Sequence, residues 1–259
     1  MQHGGELTNL IVTNTEARAR PDKMPTIIQL PQLDRDSVPG EEQEALIDRY
    51  QRFRLDALKN DPEVFASSYA EENNQPRDYW RKRLANPSAV NLVAVMPSGD
   101  IAATWKSGDK WCGMIVLLGP MAEHAKETHA SQSPWSKVPS VAFNQSSNQT
   151  TTAQGAPAPQ NLTYHISGAY TAAQYRGQGC GKALMRASVE QAKTDCTRRG
   201  GQSFTIGVHV DTFNNAARVL YKKFGFTVVS EEIYPPRPTE QGERKDRRAY
   251  LMQRTERVA

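Results

Sequence analysis

Residues 162–199 constrain the fold more than any other stretch, because they pass from an apolar run through glycines into a helical pattern. The run from Leu162 to Thr171 is rich in β-branched and aromatic residues, as buried strands are. After three alternate glycines, apolar residues recur at helical spacing until Gly200-Gly201, which offers the left-handed cap that ends many helices. The stretch predicts a strand, a tight turn and a helix in direct succession.

The turn at residues 174–182 is suited to bind a phosphate group. The first N–H groups of a helix have no partner within it, and the helix dipole adds partial positive charge there. A P-loop needs Ser or Thr after Gly181-Lys182, where Ala183 stands. A dinucleotide fingerprint needs an acidic residue about 20 positions later, where residues 198–200 read Arg-Arg-Gly. The spacing therefore excludes both of these nucleotide motifs.

Two motifs resemble those of one known family. Arg176-x-x-Gly179-x-Gly181 is similar to the pyrophosphate-binding motif, Arg/Gln-x-x-Gly-x-Gly/Ala, of the GNAT superfamily of acetyl-CoA-dependent N-acetyltransferases. Further along, the residues from Asn214 to Phe226 resemble the family's Asn-x-x-Ala-x-x-x-Tyr-x-x-x-Gly-Phe signature. The close resemblance covers roughly residues 160–230, and a looser one begins at about residue 25.

The resemblance implies an α/β fold, with a mixed central sheet flanked by helices. It also implies acetyl-CoA as the acetyl donor, an amine as the acceptor, direct transfer between them and no metal. The backbone amides of the turn would hold the pyrophosphate, and the end of the strand would pair with the pantetheine arm. The residues that this assigns to cofactor binding are Tyr170, Thr171, Arg176, Gly177, Gln178, Gly179, Cys180, Gly181, Lys182 and Asn214. For Asn214, helix capping is an equally good interpretation.

The catalytic candidates are Tyr221 and His165. Tyr221 matches the family position whose phenol protonates the leaving thiolate; the alternative is a core tyrosine that packs its helix against the sheet. Some relatives carry a glutamate base on the strand at 162–171, but this strand has no carboxylate. His165 is the candidate base, since imidazole titrates near neutral pH. A structural role for His165, His209 as the base, or a water chain are the alternatives.

Charged residues at two other places invite a functional interpretation. Glu71 and Glu72 lie in the segment that lines the acceptor groove of the family, and they would hold a cationic amine unless they belong to a solvated acidic loop. The basic run 244–248 would meet the 3′-phosphate of CoA or an acidic partner, or else form a solvated loop. Cys180 needs no nucleophilic role in a direct transfer.

Length and composition set the remaining expectations. At 259 residues the chain exceeds one such domain, so we expect a flexible tail at 1–24 and a domain at 25–259. A Ser-, Gln- and Asn-rich insertion at about 120–160 would be disordered or form a lid.

A net charge of +4 shows no basic excess for nucleic acid, and the apolar runs are too short for a membrane span. Three scattered cysteines favour a reducing, cytoplasmic or nuclear compartment. Oligomeric state, including a homodimer, is left open.

The remaining pattern predicts alternating elements around the central unit. The predicted strands are 26–30, 90–96, 101–105, 111–118, 204–210, 226–234 and 248–254, and the predicted helices are 41–59, 76–85 and about 214–224. A charged loop is expected at 237–247. Three functions fit: an N-acetyltransferase, a CoA-binding sensor or scaffold without a productive acceptor site, and an interaction module that acts through the insertion.

Overall fold

Strands β1 to β7 form a mixed sheet in the order β1-β2-β3-β4-β5-β7-β6. The computed structural model describes residues 24–96, 104–106, 110–121, 135, 161–238 and 244–258. The strands are β1 Thr26–Gln29, β2 Ala89–Val95, β3 Trp111–Leu118, β4 Asn161–Thr171, β5 Ser203–Asp211, β6 Thr227–Pro238 and β7 Arg244–Arg257. The helices are α1 Gly40–Asn60, α2 Tyr69–Asn73, α3 Arg77–Ala85, α4 Cys180–Arg198 and α5 Asn215–Lys223. Short 3₁₀ turns span Pro62–Val64 and Ala173–Tyr175.

The sheet has a core on each face. β3 is buried along its whole length, and its side chains alternate between the two cores as the pleat of a strand requires. One core packs α4 against the sheet through residues such as Leu184, Met185 and Val189. The other packs α1 and α3 against the opposite face through residues such as Leu46 and Trp80.

The two central strands part in the middle of the sheet. β4 and β5 pair in parallel from Asn161↔Ser203 to Ile166↔Val208. Beyond that point β4 continues along β3 as far as Thr171, and β5 continues along β7 as far as Asp211. The register of β4 against β3 shifts between its partners Ser167 and Tyr170, and Gly168 lies there with φ 60°. Parallel pairing therefore ends where β4 is bulged, which leaves a gap between two strand ends.

The central prediction is confirmed closely. The strand, the turn and the helix of residues 162–199 are β4, the glycine turn and α4, and Gly200 follows α4 with φ 73°. Gly225, with φ 80°, ends α5 in the same way. α1, α3, β3 and β5 lie within one or two residues of their predicted bounds.

Two local predictions were wrong. Residues 104–106 are not in a strand, and β2 pairs with β1 and β3; residues 101–103 lie outside the described part. In the expected loop at 237–247, residues 237–238 and 244–247 belong to strands, because β6 and β7 keep pairing past Tyr234 to Pro238↔Arg244. Residues 239–243 lie outside the described part. The register shifts between Tyr234 and Arg237, where two prolines interrupt the N–H ladder.

The tail and the insertion lie mostly outside the described residues. Of the predicted tail 1–24, Met24 alone is described, and of the insertion 120–160, only residues 120, 121 and 135. Within the described ranges, no helix is long and apolar enough to cross a membrane.

Candidate active site

The glycine turn is built from left-handed residues in front of α4. Gly177 has φ 80° and Gly179 has φ 90°, a region that residues with a Cβ rarely adopt. Gly179 is the N-cap of α4, and a Cβ built on it would meet no atom within 4 Å. Gly181 has a different constraint, because its Cβ would lie 3.2 Å from Leu220 Cδ2 of α5. The turn thus presents open backbone at the start of a helix of 19 residues.

The side chain of Arg176 is held by protein groups next to this turn. Its Nε donates to the carbonyl of Thr171 at 3.0 Å, and its Nη2 donates to Asp61 Oδ2 at 2.7 Å. The hydroxyl of Tyr170 donates to the same Asp61 oxygen at 2.8 Å. Burial, followed by this hydrogen bond and the charge of Asp61, raises the pKa of Tyr170 to about 12. Lys182, in the first turn of α4, is exposed.

Tyr221 lies in the core beside the start of α4. It is 5% exposed and shares its core cluster with Cys180 and Val210. Its ring centroid lies 5.8 Å from that of Phe226. Burial raises the pKa of Tyr221 to about 12, so its phenol keeps its proton at neutral pH. Asn214 caps the helix that carries Tyr221: its side-chain oxygen accepts from the N–H of Ala217 at 3.1 Å.

His165 and His209 lie together on the opposite face of the sheet. His165 alternates along β4 with Tyr164 and Ile166, which belong to the core under α4. The rings of His165 and His209 are 5.2 Å apart between centroids. His209 Nε2 lies 3.6 Å from Glu232 Oε2 of β6. Gly207 faces His165 across the β4–β5 pair, and a Cβ there would lie 3.4 Å from Nδ1 of the imidazole.

The segment that follows α1 is held by Arg247 of β7, which is paired with Asp211 of β5. Arg247 of β7 donates through Nη1 to the carbonyl of Phe65 at 2.8 Å and through Nη2 to that of Glu63 at 2.6 Å. It also forms an ion pair with Asp211, at the end of β5. The side chain of Arg247 is 15% exposed, so at this position the solvated-loop interpretation of the basic run was wrong.

Glu71 and Glu72 have different surroundings. Glu71 Oε2 accepts from the N–H of Ser68 in a capping box at the start of α2. Glu72 is buried, and its oxygens accept from Arg54 at 2.7 and 3.0 Å and lie 3.7 Å from Arg83. Burial alone would raise the pKa of Glu72, but the hydrogen bonds and the charge of Arg54 hold it below its usual range. For Glu72, the expected open acidic loop is not what the fold forms.

The thiols of Cys112 and Cys180 are in contact. Their sulfur atoms are 3.1 Å apart, and both residues are buried. The hydrogen bond from Cys112 lowers the pKa of the Cys180 thiol. In the parts of the chain that the structure describes, no group of three or more His, Cys, Asp or Glu side chains is placed to hold a metal ion.

Sequence reasoning missed the residues that act between elements. Asp61 meets partners 109 and 115 positions away along the chain, and Glu232 belongs to a strand far from His209 in sequence. Arg54 and Glu72 are opposite charges 18 residues apart, with Arg54 on a predicted helix and Glu72 in the segment after it, and the sequence does not indicate that they pair.

The sequence model of the family described as "Acetyltransferase (GNAT) domain" matches residues 141–228. No curated protein matches the chain. Among solved structures, NAA60 of Arabidopsis thaliana with a bisubstrate analogue is 15% identical, with a TM-score of 0.49 over 89% of this chain and 99% of that one. A GNAT acetyltransferase of Streptococcus pneumoniae is 14% identical, with a TM-score of 0.45 over 90% and 100% of the two chains. The ribosomal-protein-alanine N-acetyltransferase of Brucella melitensis is 16% identical, with a TM-score of 0.45 over 88% of this chain and 98% of that one.

The family match covers β4, the glycine turn, α4, β5 and α5, which are the elements that carry both sequence motifs. The mixed sheet, with its parallel β4–β5 pair at the centre, has the architecture that the resemblance implied. Residues 141–228 are therefore similar in sequence to the GNAT acetyltransferase domain, over the elements that carry both motifs.

Proposed function

We propose that the chain is an N-acetyltransferase, which transfers the acetyl group of acetyl-CoA directly to a primary amine of a small molecule, peptide or protein. The observation that carries the proposal is the position of the glycine turn. Its open backbone lies at the start of α4, directly after the end of β4, where β4 and β5 have parted. The glycine turn, which would bind the phosphates, is thus next to the place where the two strands separate, as an elongated, phosphorylated donor requires.

The residues fit the donor in the following way. The amides of Gly177, Gln178, Gly179, Cys180 and Gly181 would hold the pyrophosphate, and Lys182 would add charge. Tyr170 and Thr171, at the end of β4, would supply backbone to the pantetheine arm. Asn214 supports the site through α5, since its oxygen caps that helix. When bound, acetyl-CoA would supply the acetyl group as a reactive thioester.

The two proton transfers of the reaction would use residues on opposite faces of the sheet. Tyr221, protonated at neutral pH, would donate to the leaving sulfur. The imidazoles of His165 and His209 would take the proton of the amine, with Glu232 orienting His209. The two roles would have to meet where β4 and β5 separate, beyond the pair Ile166↔Val208.

The decisive experiment measures release of free thiol from acetyl-CoA across a panel of amines and peptides. Turnover with at least one acceptor supports the proposal. The absence of a carboxylate from β4 favours a second candidate, a CoA-binding sensor or scaffold. Tight CoA binding without turnover across the panel would select it.

Gly179→Val should weaken CoA binding by about tenfold or more, because a β-branched residue at φ 90° is strained by roughly 1–3 kcal/mol. Titration calorimetry with CoA measures the change. Gly40→Ala is the matched control, since Gly40 also has no atom within 4 Å of its Cβ and has no positive φ. Equal affinity of Gly179→Val and wild type would remove the turn from the proposed site.

Glu232→Gln should lower turnover more than Glu231→Gln does, because Glu232 Oε2 lies 3.6 Å from His209 Nε2 and would orient that imidazole. The pH–rate profile is a second readout. Glu231→Gln is the control: Glu231 is adjacent in sequence, more exposed and paired with Arg248. His165→Gln and His209→Gln then identify the base, as the variant in which the acidic limb is lost. If the limb persists in both, the proton leaves through water instead.

A further inference from the structure

The carboxylate of Asp61 joins the end of α1 to the end of β4 and to the glycine turn. Asp61 is the C-cap of α1, its N–H donates to the carbonyl of Ala57 at 3.0 Å, and Pro62 follows it. Its backbone is therefore well fixed. From this position one oxygen, Oδ2, accepts from both Tyr170 and Arg176.

Arg176 directly precedes Gly177, the first glycine of the turn, and its guanidinium group makes two hydrogen bonds to protein groups. Nε donates to the carbonyl of Thr171, and Nη2 donates to Asp61. The residues that follow include two glycines with positive φ, which restrict the backbone less than other residues do. The path of the turn therefore depends on how firmly Arg176 is held.

Arg176 could act in the donor site as a pyrophosphate ligand or as a residue that positions the turn. These two roles make opposite demands on its contact with Asp61. As a direct pyrophosphate ligand, Arg176 would use the remaining N–H groups of its guanidinium, and the charge of Asp61 would compete with the ligand for that group. A residue that positions the turn has to keep its contact with Asp61 when the ligand is bound. The side chain of Asp61 is 20% exposed and that of Arg176 is 49% exposed, so the contact is partly shielded from water. The shared oxygen and the second bond to Thr171 favour the positioning role.

We propose that Asp61 is a positioning residue for the donor site, which anchors Arg176 so that the backbone amides of residues 177–181 are held in their phosphate-binding arrangement. Arg176 acts through this anchor rather than as a pyrophosphate ligand. The inference depends on the proposed function, because it assumes that CoA binds at the turn.

The test compares CoA binding, by titration calorimetry, across variants of this contact. Asp61→Ala should weaken binding by about three- to tenfold, a range set by the modest strength of partly exposed charged pairs. Adding Asp61→Ala to Arg176→Gln should produce no further loss, because both changes break the same contact. Asp56→Ala removes an equal charge from an exposed position on α1 and should leave affinity unchanged.

Hydrogen exchange of the turn amides in the ligand-free protein gives a second readout. Exchange at residues 177–181 should be faster in Asp61→Ala and Arg176→Gln than in Asp56→Ala, and Asp61→Glu should restore part of the protection. Unchanged or tighter CoA binding by Asp61→Ala would overturn the proposal, since Arg176 would then be a ligand that Asp61 restrains. Additive losses in the double variant, or unchanged exchange, would overturn it as well. If wild-type protein does not bind CoA, the proposed function fails, and the exchange rates alone decide whether Asp61 anchors the turn.

Discussion

Tyr221→Phe should lower turnover by about 10²- to 10³-fold and leave the affinity for acetyl-CoA nearly unchanged. The substitution removes the O–H group and keeps the ring that packs 5.8 Å from Phe226. A thiol titrates near 8.5, so complete transfer of a proton from a phenol of pKa about 12 is uphill. We therefore expect Tyr221 to act mainly by donating a hydrogen bond to the leaving sulfur, an interaction that is strongest when the charge develops.

The measurement is steady-state thiol release together with calorimetry of acetyl-CoA binding. Tyr250→Phe is a suitable control, because Tyr250 lies on β7 with its ring 4.8 Å from the guanidinium carbon of Arg218. Full activity in Tyr221→Phe would show that Tyr221 serves only to pack α5 against the sheet.

Glu72→Ala should lower the free energy of unfolding by about 3–5 kcal/mol, because it leaves buried guanidinium groups without their carboxylate. The side chains of Arg54 and Arg83 are 7% and 14% exposed. For a chain of this size, a loss of that magnitude lowers the melting temperature by about 6–20 °C. Glu71→Ala is the matched control and should cost about 1 kcal/mol, since it removes one side of a capping box.

The same carboxylate makes stability depend on acid. The folded pKa of Glu72 lies below its ordinary value of 4.5, so the unfolded chain takes up this proton at a higher pH than the folded one. The stabilisation is therefore complete above the ordinary value and is lost as the pH falls through the folded one. The melting temperatures of wild type and Glu72→Ala should therefore differ at neutral pH and approach each other as the pH is lowered. A normal melting temperature with a raised KM for the amine would instead make Glu72 a direct acceptor ligand.

Local signals account for what the sequence predicted well. The glycines at 177, 179, 200 and 225 adopt positive φ where the motif and the helix caps called for it. Apolar periodicity placed α1, α4 and the central strands, because burial of one face is encoded every few residues. The prediction of a loop was wrong at 237–238 and 244–247, where strand pairing between β6 and β7 overrides a charged, proline-containing sequence.

Contacts between distant segments were beyond the reach of the sequence. Nothing near Asp61 in sequence indicates that its carboxylate meets Tyr170 and Arg176, and nothing near His209 points to Glu232. Glu72 illustrates the difference: its local sequence reads as an acidic loop, but the packing of α1, α2 and α3 buries it between two arginines.

By itself, the sequence determined the glycine turn, the order of elements around it and the position of Tyr221, because each depends on residues a few positions apart. The tertiary structure decided which charged groups are paired and which imidazoles meet. It also decided where β4 and β5 separate, because these features depend on the register between strands and on side chains brought together from distant parts of the chain.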